Sequence, residues 1–510
     1  MEQRSPVRIS DWVGLNTRDS DLEIELGASP EVNNIEFFRE GWKTRAGITK
    51  KHTTALGSEP INGIFDGFND ILVAEGTNLR EWDGTTFTAI TGATTLANNA
   101  IPAFASYNAL DIMVNGSAND NPKSWDGATF QDLTGSPPKA DDVTVWRNHV
   151  WLTGLASPNQ DEVRFSQLED PTIWPSGHFL RPSKRAKGRN LICSRVCPYP
   201  GSEDGTRLVV FASDAIFHFD GFTKSLFQIY PVQSHLGSIS KRGVVIAENL
   251  TYWVDENGIY CSPDGCITVN HISWNIQPTF DALNKSRLNL CCGVHHRYKR
   301  QIWWSFSNTT SSTHNIVLVY NYGLSTPMAQ AGQPGARHVW SKLDLQLNAF
   351  GEILTSNEYL VYGGASVGAS SNGFVYTVDN GTTDAGTAIS WTLRTKRILL
   401  GGSWSVYNVL RKLSVIHDAL GGATMSVKFY SDTSRTVTES TVVDLAGGGS
   451  LFGTGLFGTA VFGSSGTMTS EIWFNRMVAA IQFEFSGSDS GKLLRCYEIA
   501  MEVLPKRGMR

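Results

Sequence analysis

The sequence predicts an all-β protein, in which a β-propeller of six or seven blades, with seven favoured, is followed by an antiparallel β-sandwich. Three features of the chain predict this fold: apolar residues alternate at period two, a hairpin sequence recurs after 43 residues, and longer strands begin near residue 389. At 510 residues the chain is also too long for one hydrophobic core, so at least two domains are expected.

The alternation is clearest at residues 425–429 and 481–485, where apolar and polar side chains take turns as they do in a half-buried antiparallel strand. Helical periodicity is scarce. One short helix is expected to begin at Ser29, with Pro30 in its first turn, and another near Pro278 to Leu283.

The repeat consists of residues 78–92 and 121–135, which share Trp-Asp-Gly, a Thr-Phe pair and a closing Thr-Gly. Each copy predicts strand, turn, strand, because Asp-Gly tolerates the φ angles of a tight hairpin. Weaker copies of the turn lie at residues 219–221, 263–265 and 379–381. A period of 40 to 50 residues is typical of propeller blades. The alternative is a β-sandwich with two hairpins that are similar by accident.

We expect an N-terminal arm and entry strand at residues 1–55, the propeller at 56–388 and the sandwich at 389–510. The sandwich contains a Gly- and Phe-rich loop, 447–463, in which Phe452, Phe457 and Phe462 recur every five residues. This spacing matches neither a helix nor a strand. It favours a protruding loop that anchors its aromatic rings on a neighbour, and the alternative is a loop that covers its own sandwich.

Composition excludes several classes of protein. The formal net charge is −5, so bulk attraction to nucleic acid or to an acidic membrane is not expected. No apolar run approaches the roughly 20 residues of a membrane helix, and the N-terminus lacks the features of a secretory signal, so no membrane insertion is expected. Seven cysteines, an odd number, argue against a disulfide scaffold and favour synthesis in a reducing cytoplasm.

Candidate chemistry is sparse. The pairs Cys193/Cys197 and Cys261/Cys266 fit the ligand spacing of a zinc site loosely, and buried thiols that act as small apolar groups are the favoured interpretation. We find no nucleophile elbow, no metal-binding helix motif and no phosphate-binding glycine loop. No catalytic, metal or cofactor residue is predicted, and the chain is expected not to be an enzyme. Paired carboxylates contributed by different blades remain an alternative.

Basic residues cluster between positions 181 and 189, where no acidic residue intervenes. Such a run can bind phosphates or the carboxylates of another subunit, and a solvated loop is the alternative. The candidate contact residues are Arg181, Lys184, Arg185, Lys187 and Arg189. A second basic group at 297–300 directly precedes an apolar strand, and is expected to mark the exposed start of that strand.

The most distinctive pattern lies in residues 12–50. It contains Gly14-Leu15-Asn16, a turn with Asn33-Asn34 before a strand, and Arg45-Ala46-Gly47. This segment resembles the opening of tail hub and nozzle proteins of tailed bacteriophages, especially short-tailed ones. That class typically begins with two glycines before Leu-Asn, whereas Val13 stands at the first of these positions here.

The resemblance implies a structural virion protein of the tail, assembled in the host cytoplasm and needing no cofactor. Such proteins form a ring, here expected to be a hexamer, that extends the DNA exit channel below the portal and adaptor. The implied partners are further copies of the chain, the adaptor or head-to-tail connector, other tail proteins, and duplex DNA passing without sequence-specific binding. Because the channel through one propeller is narrow, the duplex is expected to pass between subunits. One alternative function is a carbohydrate-binding or glycoside-cleaving propeller that recognises a host surface. A second is a cytoplasmic scaffold propeller that binds peptides on its top face.

Overall fold

The computed structural model describes residues 7–90, 96–182, 189–330, 333, 335–366, 373–420, 422–445, 466–488 and 491–505. Over these residues the protein is all-β, as predicted. The short helix expected near Pro278 is confirmed as α1 (Gln277–Asp281), between two 3₁₀ turns at Trp274–Ile276 and Lys285–Leu290. The helix expected at Ser29 is wrong, because Ser29 pairs with Leu15 in a short parallel ladder, and this tertiary pairing overrides the local capping signal.

The N-terminal segment forms a series of short strands, most of which pair with distant parts of the chain. They are β1 (Val7–Ile9), β2 (Gly14–Leu15), β3 (Ala28–Ser29), β4 (Glu31–Asn33), β5 (Ile35–Phe38), β6 (Gly41–Thr44) and β7 (Ile48–Lys50). Strands β2 and β3 pair with each other in parallel, and β5 with β6 antiparallel.

Seven antiparallel four-stranded sheets follow within the described residues, each with its strands in chain order except where β7 joins the last sheet. The first three sheets are β8 (Ile61–Asp66), β9 (Ile71–Glu75), β10 (Asn78–Trp82) and β11 (Phe87–Ala89); β12 (Ala103–Tyr107), β13 (Leu110–Val114), β14 (Lys123–Trp125) and β15 (Phe130–Asp132); and β16 (Ala140–Trp146), β17 (His149–Leu155), β18 (Val163–Phe165) and β19 (Phe179–Leu180).

The remaining four sheets repeat this pattern. They are β20 (Leu191–Pro198), β21 (Thr206–Ala212), β22 (Ile216–Asp220) and β23 (Gln228–Gln233); β24 (Val245–Ala247), β25 (Leu250–Asp255), β26 (Gly258–Ser262) and β27 (Asn270–His271); β28 (Cys292–His296), β29 (Gln301–Phe306), β30 (Ile316–Asn321) and β31 (Trp340–Leu343); and β32 (Leu347–Leu354), β33 (Tyr359–Ala365) and β34 (Val375–Val378) with β7.

The seven sheets close into a ring. Each sheet shares an apolar core with the next one, and the seventh shares a core with the first, where Ile353 and Tyr362 pack with Ile61 and Val73. Closure is completed by the N-terminal β7, which pairs antiparallel with β34 as the outermost strand of the seventh sheet. Two segments far apart in sequence therefore hold the ring shut.

The two copies of the sequence repeat occupy the same place in the first and second sheets, from the third strand through the turn into the fourth strand. In the first two sheets Trp82 and Trp125 end that strand, and the glycines that follow take φ values of 95° and 88°. The side chain of Asp83 closes the first turn by accepting the backbone N–H groups of Thr85 (2.8 Å) and Thr86 (2.7 Å). The predicted strand–turn–strand structure of both copies is confirmed.

The C-terminal segment contributes eight strands of very different lengths to two six-stranded sheets. They are β35 (Trp391–Arg394), β36 (Ile398–Leu399), β37 (Asn408–Asp418), β38 (Thr424–Ser431), β39 (Glu439–Asp444), β40 (Thr467–Val478), β41 (Ala480–Gly487) and β42 (Arg495–Pro505). One sheet runs β40-β37-β42-β6-β5 with β1 beside β42, and the other runs β39-β38-β41-β35-β4 with β36 beside β41.

The N-terminal strands are thus built into both parts of the molecule. Strands β1, β4, β5 and β6 belong to the two C-terminal sheets, whereas β7 belongs to the ring. A single apolar core joins the two C-terminal sheets to the fifth and sixth sheets of the ring, with Trp42 and Trp304 among its buried residues. The expected boundaries after residues 55 and 388 stay predictions. Among the described residues, no helix is long and apolar enough to span a membrane.

Candidate functional site

The first strands of all seven sheets line one central cavity of about 470 Å³. Its walls come from β8, β12, β16, β20, β24, β28 and β32, so the cavity follows the axis of the ring. In closed sheet rings the axial cavity is a usual place for function, and its lining therefore decides what this ring can do.

Two adjacent cations, Lys241 and Arg242, reach into this cavity from the loop before β24. The ammonium of Lys241 donates hydrogen bonds to the carbonyl oxygens of Ile101 (2.7 Å) and Asp141 (2.6 Å), at the second and third sheets. Burial lowers the pKa of Lys241 to about 8, although Asp142 and Asp141 oppose this shift. The charge is thus tolerated in the cavity because backbone dipoles and carboxylates surround it.

The guanidinium of Arg242 extends the same network to the other side of the ring. It donates to the carbonyl oxygens of Asn62 (3.0 Å) and Asn348 (3.0 Å), in the first and seventh sheets, and of Leu290 (2.6 Å), before the sixth sheet. Arg195 of β20 in turn donates to the carbonyl oxygen of Lys241. The Lys241-Arg242 dipeptide therefore makes hydrogen bonds in or directly beside all seven sheets, and we call these two residues the axial plug.

A buried ion pair supports this plug from the side. Asp142, on β16, accepts hydrogen bonds from the guanidinium of Arg195 (2.7 Å) and the backbone N–H of Ser194 (2.9 Å). Its second carboxylate oxygen is buried without a hydrogen-bond partner among the described residues. Lys241, Arg242, Arg195 and one oxygen of Asp142 thus make hydrogen bonds that link parts of the ring, which is the arrangement of a structural support.

The second polar centre lies where the N-terminal segment meets both parts of the molecule. Asn34, at φ 55° between β4 and β5, accepts the Nε–H of Arg45 (2.7 Å) and the backbone N–H of Asp344 (2.9 Å). Its amide donates to the carbonyl oxygen of Ser390 (2.7 Å). Asp344 follows the sixth sheet of the ring and Ser390 precedes β35, so one side chain joins the two parts.

Arg45 completes this group of contacts, which we call the joint (Asn34, Arg45, Gly47 and Asp384). Only 1% of the surface of Arg45 is exposed. Its guanidinium grips Asp384 with two parallel hydrogen bonds of 2.8 and 2.5 Å, a geometry that is stronger and more directional than a single contact. Two residues later, a Cβ on Gly47 would lie 2.0 Å from the carbonyl oxygen of Thr383, so no side chain fits there. Asn34, Arg45 and Gly47, three of the residues that carry the resemblance in the sequence, are therefore buried structural residues of the joint.

A third ionic cluster lies beside the joint. Lys299, in the turn before β29, pairs with Glu36 of β5 (2.5 Å) and with Asp379, and Lys43 also reaches Glu36 (3.3 Å). Burial alone would lower the pKa of Lys299, but the two carboxylates raise it above its usual value. The second basic group of the sequence therefore includes a buried cation, and its expected role as an exposed strand start does not hold for Lys299.

The basic run between 181 and 189 is described only at its two ends. Arg181 pairs with Glu162 (2.5 Å), which is buried, and Arg189 with Asp214 (3.2 Å). Both ends are thus engaged within the chain, while contact of the run with a subunit or with DNA stays a prediction. Outside the described residues lie Lys184, Arg185 and Lys187 of this run, and Phe452, Phe457 and Phe462 of the Gly- and Phe-rich loop.

All seven cysteines are buried free thiols, as their favoured interpretation predicts. Burial raises the pKa of each, for example to about 12 at Cys197 and to about 11 at Cys292, so they remain protonated and poorly nucleophilic. No group of three or more metal-binding side chains occurs in the described part of the chain.

The axial plug was not predicted from the sequence. Lys241 and Arg242 stand between a serine and a glycine in a loop, and the residues around them form no binding motif. Their partners lie 48 to 180 residues away, so no spacing in the sequence reveals them. A Lys-Arg pair directly before the first strand of a repeating unit was the available signal.

Comparison with known proteins gives a limited result. No family model and no curated protein matches the chain. Among solved structures, it is similar to an ancestral GH74 enzyme (13% identity, TM-score 0.40, 66% of this chain and 51% of that one) and to Saccharomyces cerevisiae Sqt1 (12%, 0.37, 72% and 97%). A third is an exo-β-1,3-galactanase from Phanerochaete chrysosporium (10%, 0.25, 70% and 94%). The chain spans about half the length of the GH74 enzyme.

These neighbours correct one expectation. The chain was expected not to be an enzyme, and two of the similar structures are glycoside hydrolases, so that expectation is withdrawn. TM-scores of 0.40 and 0.25 are too low to indicate that this chain itself cleaves a sugar.

Proposed function

We propose that this chain is a structural subunit of a bacteriophage tail, a nozzle or hub protein that forms a ring extending the DNA exit channel. The observation that carries the proposal is the place of three of the residues that resemble that class. Asn34, Arg45 and Gly47 make the joint between the ring of sheets and the C-terminal sheets. Bidentate, buried contacts of this kind hold the two parts of the chain in a fixed orientation, as a tail subunit would require.

The proposal includes the finer architecture. The seven sheets are the blades of a seven-bladed propeller, and the two six-stranded sheets form a β-sandwich. The shared cores around the ring, the axial cavity and the closing strand β7 support the first part. The core that β37, β38, β41 and β42 share supports the second.

The axial plug supports the expected DNA path. Lys241 and Arg242 cross a cavity of about 470 Å³ and bind carbonyls on opposite walls. Duplex DNA, whose major groove alone is about 12 Å wide, has no passage there. In the proposed assembly the duplex therefore runs between subunits, whose net charge of −5 each makes a weakly binding wall.

Gold-labelled antibody against this protein, imaged on intact phage particles, tests the proposal. We expect label on the central axis of the tail, directly below the head. Label on fibres or spikes, or none on particles whose proteins include this chain by mass spectrometry of disrupted virions, contradicts the nozzle assignment. Low-resolution averaging of isolated tails then gives the number of copies, for which we expect six.

The Gly- and Phe-rich loop provides a second test at the level of assembly. We predict that replacing Phe452, Phe457 and Phe462 together by Ser lowers incorporation into particles, because burying each ring on a neighbour is worth about 1.5–3 kcal/mol. The melting temperature of the isolated subunit is expected to stay nearly unchanged. A large loss of monomer stability would show that the loop packs on its own sandwich.

A further inference from the structure

A second cavity, of about 580 Å³, lies away from the ring axis, between the N-terminal segment and one of the C-terminal sheets. Its walls come from the loop at Ser20–Leu22, from β35, β38 and β41, and from the loops around residues 404 and 433. The volume falls in the range of cavities that hold small ligands. Three arginines line it: Arg394, Arg397 and Arg435.

The buried side of this cavity, which we call its floor, is formed by Arg397 and its paired partners. Arg397, which is 5% exposed, pairs with Asp21 (3.0 Å) and donates to the side-chain oxygen of Gln482 (2.9 Å). It also donates to the carbonyl oxygens of Asp432 and Ser434, and thereby fixes the loop that carries Arg435. Its donors are therefore used within the chain.

The polar groups of one wall, around Arg394, are also paired within the chain. Arg394 contacts Glu484 (3.1 Å from Nε) and Glu31 (3.2 Å), and lies near the hydroxyl of Tyr430 (3.4 Å). Burial alone would raise the pKa of Glu484, but hydrogen bonds from Lys428, Arg394 and Tyr430 lower it to about 2. This carboxylate is thus ionised at neutral pH, and it neutralises the cations beside it.

The exposed side of the cavity, which we call its mouth, is different. Two large side chains there, Arg435 and Trp404, make no hydrogen bond with another described residue. Arg435 is exposed and makes no hydrogen bond or ion pair with any other described residue. Trp404 lines the same cavity and keeps 39% of its surface exposed. The guanidinium of Arg435 and the indole of Trp404 are thus available to a ligand, whereas Arg397 in the same cavity is already paired.

We propose that this cavity, bounded by Arg435, Trp404 and the Arg397 floor, binds an acidic saccharide. A guanidinium binds the oxyanion of such a sugar with two parallel hydrogen bonds, and an indole offers a flat apolar surface for the C–H face of the sugar ring. A cavity of about 580 Å³ is larger than one carboxylate needs, which favours a ring-bearing ligand over a bare anion. The site does not depend on the proposed ring and would serve the isolated chain equally.

Calorimetric titration of the full chain with three probes tests the proposal: a digalacturonic acid, a neutral galactobiose and inorganic phosphate. We expect the acidic disaccharide to bind about tenfold or more tightly than the neutral one, because a charge-assisted bidentate contact is lost with the carboxylate. Inorganic phosphate is expected to bind more weakly than the acidic disaccharide, because it cannot use the indole.

Variants at the mouth assign the binding to this cavity. Arg435→Gln and Trp404→Ala should each weaken binding of digalacturonic acid about five- to tenfold. Arg411→Gln is the matched control, because Arg411 is an exposed arginine of β37 that does not line the cavity. Equal melting temperatures verify folding. No binding of the acidic probe, equal binding of the neutral probe, phosphate binding as tightly as the disaccharide, or an equal loss in the control overturns the proposal.

Discussion

Replacement of Arg45 by Met removes the central cation of the joint and tests how much that joint contributes to stability. Arg45 is buried, grips Asp384 with two hydrogen bonds and also binds Asn34 (2.7 Å). Breaking a buried pair usually costs about 3–5 kcal/mol, because the remaining charge loses its partner. Asp384 keeps 26% exposure and regains some hydration, so we expect a loss of about 3 kcal/mol.

The assay is equilibrium unfolding in urea, followed by circular dichroism, in a double-mutant cycle with Asp384→Asn. The two single variants and the double variant should give a coupling energy of about 2 kcal/mol, because the residues act as one pair. Arg45→Lys should recover little, since an ammonium cannot reproduce the bidentate contact. The control is Arg411→Met, at an exposed site, which should change stability by less than about 0.5 kcal/mol.

The reasoning is refuted if Arg45→Met costs less than about 1 kcal/mol, or if the cycle shows no coupling to Asp384. Either result would mean that the joint is held by the surrounding apolar core alone, with Trp42 and its neighbours, rather than by these polar contacts.

Three further predictions concern the plug, the thiols and the basic run. Arg242→Leu should destabilise the protein by about 2–4 kcal/mol in the same unfolding assay, because it leaves three carbonyls without their donor; a loss below about 1 kcal/mol would contradict the plug. The raised pKa of Cys197 contributes stability that is complete below the unfolded value of 9.0 and is lost as pH rises towards about 12. The cost of Cys197→Ala under reducing conditions should therefore shrink by about 1.4 kcal/mol between pH 8 and 10, whereas an equal cost at both pH values would exclude this linkage. If the basic run faces a subunit boundary, reversing Arg181 and Arg189 to Glu should weaken ring assembly in a salt-sensitive manner, measured by light scattering. If the run faces the lumen, assembly should survive while genome retention or ejection changes, and wild-type behaviour in both assays would favour the solvated loop.

What the sequence could predict here was local. The hairpins after Trp82 and Trp125 follow from turn chemistry within a few residues, since an aspartate side chain caps the turn and a glycine supplies the positive φ. The all-β class follows from the alternation of side chains along each strand. The same local logic failed at Ser29, where capping residues were recruited into a strand by a partner 14 residues earlier.

The candidate sites were not predictable in this way, because long-range contacts assemble them. Arg242 binds Asn62 and Asn348, which are 180 and 106 residues away, and Arg45 binds Asp384 at a distance of 339 residues. The resemblance did direct attention to Asn34 and Arg45, but it did not reveal what they do. Only the folded chain shows that both side chains are buried between the ring and the C-terminal sheets.

The plug and the joint together constrain how a subunit of this kind could work in an assembly. Lys241 and Arg242 bind all parts of the ring at its axis, so the ring cannot widen without breaking charge-assisted hydrogen bonds to several sheets at once. Arg45 and Asn34 fix the C-terminal sheets to that ring. If the chain assembles as proposed, a movement that opens the DNA channel is therefore expected between whole subunits rather than within one ring of sheets.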